Sequence, residues 1–305
     1  MRLLPVALIG SLALFSLPAC AEKGAVSSPG AGSVWMVESS TTRLYLCGTI
    51  HLLRPTDYPL PEVYEKAYAD SQRVVFELPP GVSHDPQLAI KMRTAGSYPE
   101  GDALSAKVKP VTWQALEAWG KTRGLPSSMF NPFRPWFAAL TVSATEYSLL
   151  GADPDRGVDR FFEKRATKDG KPGEGLETLE LQIGLFTSLS EELQQELLEQ
   201  TLAEVRTLPD QFERMIASWR VGDADALHQM LFEEAEKYPE LLDAFLTQRN
   251  ERWIKQLEGY LSGKDHVMVL VGTGHLGGKE GVLHLLQSKG YKVTKLAEAD
   301  KTVAR

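Results

Sequence analysis

Two apolar runs in the hydrophobic pattern of the chain end in the same short segment, Gly-Thr-x-His-Leu. Residues 44–53 have the sequence LYLCGTIHLL, and residues 267–278 have the sequence VMVLVGTGHLGG. An apolar run that stops at a glycine predicts a buried strand followed by a turn. Ligands of open α/β sheets bind just beyond the carboxyl ends of the strands. We therefore predict that the two strands pair side by side and bring His51 and His275 together.

The remaining pattern predicts an α/β fold for residues 33–305, with a small central sheet built from N- and C-terminal βαβ units. A long helical insertion is predicted at about residues 86–263, where apolar residues recur at helical spacing and prolines separate the helices. Within it, KPGEGL at residues 171–176 fits either a short strand or a loop. The elements predicted outside the insertion are a hairpin at 33–37 and 43–48, a helix at 61–70, a strand at 72–78, a strand at 265–272, a helix at 278–289 and a strand at 291–296.

The first residues predict export from the cytoplasm. Residues 1–20 combine one early positive charge with an apolar run that is too short for a comfortable membrane span, which is typical of a signal peptide. LPAC at residues 17–20 resembles a bacterial lipobox and predicts lipidation of Cys20, whereas AxA at residues 19–21 suits ordinary signal peptidase. Residues 21–32 fit a flexible linker. We expect a periplasmic protein that is anchored to the outer membrane as a lipoprotein.

Charge and cysteine content narrow the possible partners. The formal net charge of −7 argues against nucleic acid or an anionic membrane face as a partner. The chain has two cysteines, Cys20 and Cys47, so lipidation of the first excludes a disulfide bond. Cys47 is then predicted to be a buried lone thiol, and stability must come from the hydrophobic core.

The repeated histidine segment and one carboxylate predict a metal centre. A neutral imidazole is a common ligand of zinc and related divalent metals. Glu77 closes a strand that we expect beside the strand of His51, so its carboxylate would reach the same sheet edge as His51 and His275. Two imidazoles and a carboxylate, with positions left for water, form a catalytic metal site that lowers the pKa of bound water.

Arg249 is the next candidate because it falls on an apolar helix face, four residues from both Phe245 and Trp253. A charge there is costly unless it is paired. Either its aliphatic stem lies along the apolar surface, or it pairs with Glu77, Glu177 or a substrate oxyanion. Asp159, in the segment RGVDRFF, is a weaker candidate.

A rival interpretation of the second histidine segment is dinucleotide binding. Gly272, Gly274 and Gly277 spell G-x-G-x-x-G between a predicted strand and a predicted helix, and Glu298 follows the next strand. The earlier segment lacks the middle glycine, and too little chain follows Glu298 for further βα units. We therefore favour the metal site.

Several motifs together resemble the TraB/GumN family. They are GTxH near the start of the predicted domain, a strand ending in Glu, the segments GVD and GLET with a later Gln, an RN pair followed by Trp, and the terminal VGTGHLGGKEGVLHLLQSKGYKV. The family is similar to the Tiki proteases and more distantly to erythromycin-esterase and ChaN-like proteins. It implies an α/β core with a helical insertion, and its Tiki branch implies metal-dependent peptide cleavage with manganese or cobalt. The positions that match the family pattern are Gly48, His51, Glu77, Glu177, Arg249, Asn250, Gly272 and His275.

Together these observations predict a metal-dependent hydrolase of the cell envelope, most simply a peptidase that uses manganese, cobalt or zinc. Arg249 would neutralise a developing oxyanion, and Glu177 would act as a base or orient a ligand. Asn250 and Asp159 would contact the substrate or hold the ligands in place. The alternatives are an envelope protein that binds a peptide or a metal ion without turnover, and a family member whose histidines are only structural.

Overall fold

A mixed sheet with six strands forms the centre of the molecule, in the order β4-β3-β5-β2-β1-β6. The structure, a computed structural model, describes residues 31–232 and 238–297. The α/β prediction is confirmed. The strands are β1 Val34–Glu38, β2 Arg43–Thr49, β3 Arg73–Phe76, β4 Gly173–Gly175, β5 Val267–Gly272 and β6 Lys292–Lys295.

The two strands that carry the histidine segments pair side by side, as predicted. β2 and β5 are parallel, in a register that runs from Leu44 opposite Val267 to Thr49 opposite Gly272. The predicted neighbour of β2 was wrong, however, because β3 lies beside β5 and β5 separates it from β2. The prediction placed the two strands of the first βαβ unit, β2 and β3, next to each other. In the structure β5, from the other end of the chain, lies between them.

Helices cover both faces of the sheet, and most of the predicted insertion is helical. The insertion also supplies β4, so the sheet is not built from the two ends of the chain alone. The last long helix is interrupted by a π-helical turn at Asp243–Thr247. The helices are α1 Glu62–Asp70, α2 Pro86–Ala95, α3 Leu104–Lys107, α4 Pro110–Thr122, α5 Pro135–Leu149, α6 Val158–Asp169, α7 Leu179–Thr187, α8 Glu191–Glu204, α9 Leu208–Val221, α10 Ala224–Phe232, α11 Pro239–Leu242, α12 Gln248–Leu261 and α13 Val282–Ser288.

The core has two parts because alternate residues of each strand face opposite sides of the sheet. On β5, Met268 and Leu270 pack with α1 and the earlier helices of the insertion, whereas Val267, Val269 and Val271 pack against α12, the last helix of the insertion, and α13. The sheet is therefore buried on both faces, which explains its continuous apolar runs. Among the described helices, none has the length and apolar character needed to cross a membrane.

Candidate functional site

Four parallel strands each end at a residue predicted to be functional. His51 follows β2, His275 follows β5, Glu77 follows β3 and Glu177 follows β4. The carboxyl ends of parallel strands lie at one edge of a sheet, so these side chains converge there. Gly272 is at their centre, since a Cβ atom on it would lie 3.3 Å from Glu77 Oε1 and 3.5 Å from His51 Nε2. Any side chain at this position would contact Glu77 and His51 directly.

His51 is the histidine of the site that solvent reaches. Its side chain is 14% exposed, its Nδ1 lies 3.1 Å from Asp159 Oδ1, and its Nε2 lies 3.8 Å from Glu77 Oε1. Asp159 reaches it from the first turn of α6. Burial disfavours the charged imidazole, but the nearby carboxylates of Asp159 and Glu77 outweigh this effect and raise the pKa of His51 above its ordinary 6.5. The contact is an ion pair of close approach, and the carboxylate of Asp159 favours a proton on Nδ1, which leaves Nε2 as the basic nitrogen on the side of Glu77.

His275 is buried and held at both ring nitrogens. The side-chain nitrogen of Asn250 donates to the carbonyl oxygens of His275 and Glu280, at 3.3 and 2.7 Å. The side-chain oxygen of Asn250, Oδ1, lies 2.7 Å from His275 Nδ1 and can only accept a hydrogen bond. The imidazole proton is therefore on Nδ1. Nε2 then accepts a hydrogen bond of 2.9 Å from Arg249 Nη1. Burial and the positive charge of Arg249 hold the pKa of His275 well below its ordinary value, so this ring is neutral.

Arg249 is the centre of a buried charge cluster, and every N–H of its guanidinium is engaged. The residue is 2% exposed. Nε and Nη2 bind Glu177, Nη2 also donates to Glu77 Oε2 at 2.8 Å, and Nη1 donates to His275 and, at 3.4 Å, to the carbonyl of Phe245 in the π-helical turn. In this arrangement Arg249 has no donor left for a substrate oxyanion. The oxyanion role stays a prediction. The predicted pairing of Arg249 with Glu77 or Glu177 is present, and through it Arg249 holds Glu77 and His275 in position.

Glu177 is likewise committed to the cluster. Its side chain is 2% exposed, and it accepts hydrogen bonds from Arg249, from Trp253 Nε1 at 3.1 Å and from Gln182 Nε2 at 3.3 Å. A carboxylate that is bound on several sides and sealed from solvent is a poor proton acceptor for a substrate. The structure therefore favours the orienting role that was predicted for Glu177 over the role of base.

Glu77 connects this buried cluster to the solvent side. Its Oε2 binds Arg249, and its Oε1 accepts the backbone N–H of Gly272 at 2.7 Å. Burial alone would raise the pKa of Glu77, but the charge of Arg249, helped by the two histidines and the Gly272 N–H, lowers it to about 2. Glu77 therefore stays ionised at any physiological pH.

The depressed pKa of Glu77 predicts a loss of stability in acid. Because the folded pKa lies below the ordinary 4.5, the carboxylate stabilises the fold above pH 4.5, and this contribution is lost as the pH falls towards 2. Between about pH 5 and pH 2 we expect the wild type to lose on the order of 3 kcal/mol more free energy of unfolding than Glu77→Gln. Urea denaturation at several pH values measures the difference. Parallel pH curves for the two proteins would show that Glu77 is not held by Arg249 as described.

A pocket opens beside His51, on the side away from Arg249 and His275. Its cavity volume is about 60 Å³, and the pocket is partly open to solvent. Glu77 and Asp159 border it together with His51. Ser83, Arg160 and Glu163 add further polar side chains, and apolar side chains border the rest. Solvent can therefore reach His51, while His275 does not border the pocket and is buried against Arg249. The apolar residues that border the pocket are Phe76, Leu78, Pro79 and Leu270.

The donor set does not fit the three-ligand metal site that the sequence predicts. His51 and Glu77 face each other, but the lone pair of His275 Nε2 is bound to Arg249, whose guanidinium already balances the buried carboxylates. Among the described residues, no group of three histidine, cysteine or acidic side chains is arranged to hold a metal ion. The cation at the centre of this arrangement is the guanidinium of Arg249.

The glycines of the second histidine segment have a packing role. A Cβ on Gly274 would lie 2.6 Å from the side chain of Leu231, and one on Gly277 would lie 2.2 Å from the carbonyl oxygen of Ala224. Both glycines thus allow α10 to approach the loop closely. This close approach accounts for the G-x-G-x-x-G spacing without a dinucleotide. Glu298, the acidic residue of that rival interpretation, lies outside the described residues.

A comparison with family models decides the family. The model of the TraB/PrgY/gumN family matches residues 33–295. The chain belongs to the TraB/PrgY/gumN family. The wider resemblance to Tiki, erythromycin-esterase and ChaN-like proteins stays a prediction.

Relatives of this TraB/PrgY/gumN chain have no stated activity. It is 25% identical over 175 residues to a protein named "Uncharacterized protein YbaP" from Escherichia coli (strain K12), and equally to that from Shigella flexneri. Each match covers 57% of this chain and 63% of the relative. No solved structure matches the chain significantly.

The site brings together His51, Glu77, Glu177, Arg249, Asn250, Asp159 and His275, all of them expected from the sequence, around Gly272. Gly48 lies one strand residue before the end of β2, where a Cβ would meet Thr273 Oγ1 at 2.6 Å. Sequence reasoning assigned no site role to Gln182 or to the pocket residues Ser83, Arg160 and Glu163. Gln182 is fully buried and its amide nitrogen lies 3.4 Å from Glu77 Oε2 and 3.3 Å from Glu177 Oε2. The sequence feature that could have identified Gln182 is the family motif in which GLET is followed by a Gln.

Proposed function

We propose that this chain is a hydrolase of the bacterial cell envelope that cleaves a peptide or protein substrate in the pocket beside His51. The observation that carries the proposal is the pairing of His51 Nδ1 with Asp159 at 3.1 Å, next to a pocket that is open to solvent. An imidazole that is oriented by a carboxylate and reached by solvent is suited to move protons. A purely structural histidine would have no need of the pocket.

In the proposed reaction His51 is first a base and then an acid. Its neutral Nε2 takes a proton from a water molecule, and the water oxygen forms a bond to the carbonyl carbon of the substrate. When the carbon–nitrogen bond breaks, Nε2 returns the proton to the departing amine. The carboxylates of Asp159 and Glu77 stabilise the imidazolium between these two steps, which agrees with the raised pKa of His51.

A divalent ion is the second candidate for the activating group, as the sequence predicts for manganese, cobalt or zinc. One observation favours it: Asp159 and Asn250 lie at Nδ1 of His51 and His275, so that Nε2 of His51 is left on the side of Glu77 and Nε2 of His275 on the side of Arg249. Metal-binding histidines are commonly oriented in this way. A bound ion would lower the pKa of a coordinated water molecule. His275 would first have to leave its hydrogen bond with Arg249.

Chelation separates the two mechanisms. Purified protein, prepared without chelator or affinity metal, is incubated with fluorescein-labelled casein before and after treatment with a chelator. Because His51 needs no ion to act as a base, we expect hydrolysis to survive chelation. Activity that is lost and then restored by manganese, cobalt or zinc would establish the metal mechanism instead.

The same assay tests the non-catalytic alternative. If the protein is a binding protein for a peptide or a metal ion, it will retain casein peptides or the ion without turnover. Mass spectrometry then finds the bound peptides at their original length. That result would refute the proposed hydrolase.

We also propose that the protein is secreted, is anchored to the outer membrane through a lipid on Cys20 and faces the periplasm. Cys20 and the signal segment lie outside the described residues. We expect the wild-type protein to incorporate labelled palmitate and Cys20→Ser to incorporate none, because acylation needs the thiol. Cys47→Ser is the matched control and should incorporate palmitate normally, since Cys47 is buried in β2. Equal labelling of wild type and Cys20→Ser would contradict the anchor.

A further inference from the structure

The loop that carries His51 is held along its backbone by the segment that leads into α6. Leu53 and Asp153 exchange two backbone hydrogen bonds, with nitrogen–oxygen distances of 3.4 and 3.0 Å. On the other side of His51, the backbone N–H of Val158 donates to the carbonyl oxygen of Ile50 at 3.0 Å. Because these contacts lie on either side of His51 in the sequence, the segment at 153–158 runs directly along its backbone.

Gly157 is the residue of this segment that lies against His51. A Cβ on Gly157 would lie 2.8 Å from the carbonyl carbon of His51, closer still to its carbonyl oxygen, and 2.9 Å from Asp159 Oδ1. The backbone angles of Gly157, φ −51° and ψ 150°, are ones that residues with a side chain also adopt. Glycine is therefore required here by the lack of space and not by the conformation of the backbone.

The rest of α6 is anchored against α1. Phe162 is fully buried, and its ring packs against those of Tyr64 and Tyr68 on α1, with centroid distances of 6.2 and 5.4 Å. Moving the whole helix by the width of a methyl group would disrupt this packing. An added atom on Gly157 would therefore displace the first turn of α6, and with it Asp159, from the imidazole that Asp159 orients.

We propose that Gly157 is a positioning residue of the candidate site: its missing side chain lets α6 approach the backbone of His51 closely enough for Asp159 to hold the imidazole proton on Nδ1. Gly157 acts through Asp159 and does not itself transfer a proton. This inference rests on the proposed function, since the orientation of the imidazole matters to a reaction only if His51 moves protons in it. The placement of Asp159 is a separate claim, and it can be tested without a substrate.

Nitrogen-15 NMR of the histidine rings in the full chain tests the placement of Asp159. At about pH 9, well above the ordinary pKa of histidine, the two nitrogen signals of His51 report which nitrogen carries the proton. We expect the wild type to carry it mainly on Nδ1 and Gly157→Ala to shift the population towards Nε2. Gly259→Ala is the matched control, because this exposed helical glycine has no atom within 4 Å of an added Cβ, and it should give the wild-type signals.

A double-mutant cycle shows whether Gly157 acts through Asp159. If it does, Gly157→Ala should leave the His51 signals unchanged once Asp159→Ala has removed the carboxylate. In casein hydrolysis, Gly157→Ala should lower kcat about tenfold with little change in KM, and it should cause no further loss in Asp159→Ala. Asp153→Ala is a milder variant of the same segment, since it removes the cap of the turn before Gly157 without adding an atom there. It should shift the His51 signals in the same direction, but by less.

Unchanged His51 signals in Gly157→Ala, or in Asp153→Ala if the first variant does not fold, would overturn the positioning role. An equally large shift when Gly157→Ala is added to Asp159→Ala would also overturn it, because the glycine would then act by another route. The expected shifts in a protein that does not hydrolyse casein would leave the positioning of Asp159 standing and refute the proposed hydrolase. The two inferences therefore fail separately.

Discussion

Replacement of Arg249 by methionine should reduce the free energy of unfolding by about 3–5 kcal/mol. Methionine roughly preserves the apolar stem but removes the charge that the buried carboxylates of Glu77 and Glu177 share. It also leaves the lone pair of His275 without its donor. The loss is expected to exceed that of most point substitutions, which fall between about 0.5 and 3 kcal/mol. Urea denaturation at neutral pH measures it.

Arg252 provides the matched control on the same helix. Its side chain is 44% exposed and lies 3.9 Å from Glu177, so Arg252→Met should change stability by less than about 0.5 kcal/mol. Arg249→Lys should fall between the two, because an ammonium restores the charge but cannot reach all of the acceptors. Similar stabilities for Arg249→Met and Arg252→Met would show that the buried cluster does not depend on the guanidinium.

The second large effect concerns activity and not stability. His51→Gln should lower kcat for casein hydrolysis by about 100- to 10,000-fold, because both proposed proton transfers run through its imidazole. The fold should persist, since His51 lies at the rim of the cluster and is partly exposed. Steady-state kinetics together with the thermal midpoint separates the two effects.

His284→Gln is the control for this experiment, because His284 is exposed on α13, away from the pocket beside His51. It should hydrolyse casein like the wild type. Asp159→Asn should lie between the two, since the amide keeps a polar contact with His51 but no longer stabilises the imidazolium through its charge. Full activity of His51→Gln would remove the basis of the proposed reaction.

The sequence placed four candidate residues at one sheet edge because these four follow strands. Repetition of Gly-Thr-x-His-Leu after two apolar runs identified both strands of the central pair, and their parallel pairing in the structure places His51 and His275 at one edge. Glu77 also reached the predicted edge, although its strand lies one position further away than expected. The carboxyl ends of parallel strands lie at the same sheet edge whatever the order of the strands. The wrong neighbour predicted for β3 therefore did not move Glu77 out of the site.

The sequence predicted that Arg249 pairs with Glu77 or Glu177, but not that Arg249 also donates to His275. Two imidazoles and a carboxylate at one edge suggest a metal ion, whereas the structure directs Arg249 to Nε2 of His275. Arg249 comes from a helix that begins after a π-helical turn, and such a turn leaves no clear periodic signal in the sequence. The roles of Asn250 and Gln182 depend on the same distant contacts.

The central claim is that the site has two different histidines: an accessible His51 that exchanges protons and a sealed, neutral His275 that Arg249 holds. Nitrogen-15 NMR of the imidazole rings across a pH titration tests this claim directly and requires no substrate. We predict that His51 titrates with a pKa above 6.5, and that His275 stays neutral with its proton on Nδ1 throughout. A His275 that titrates near neutral pH while His51 does not would contradict the account.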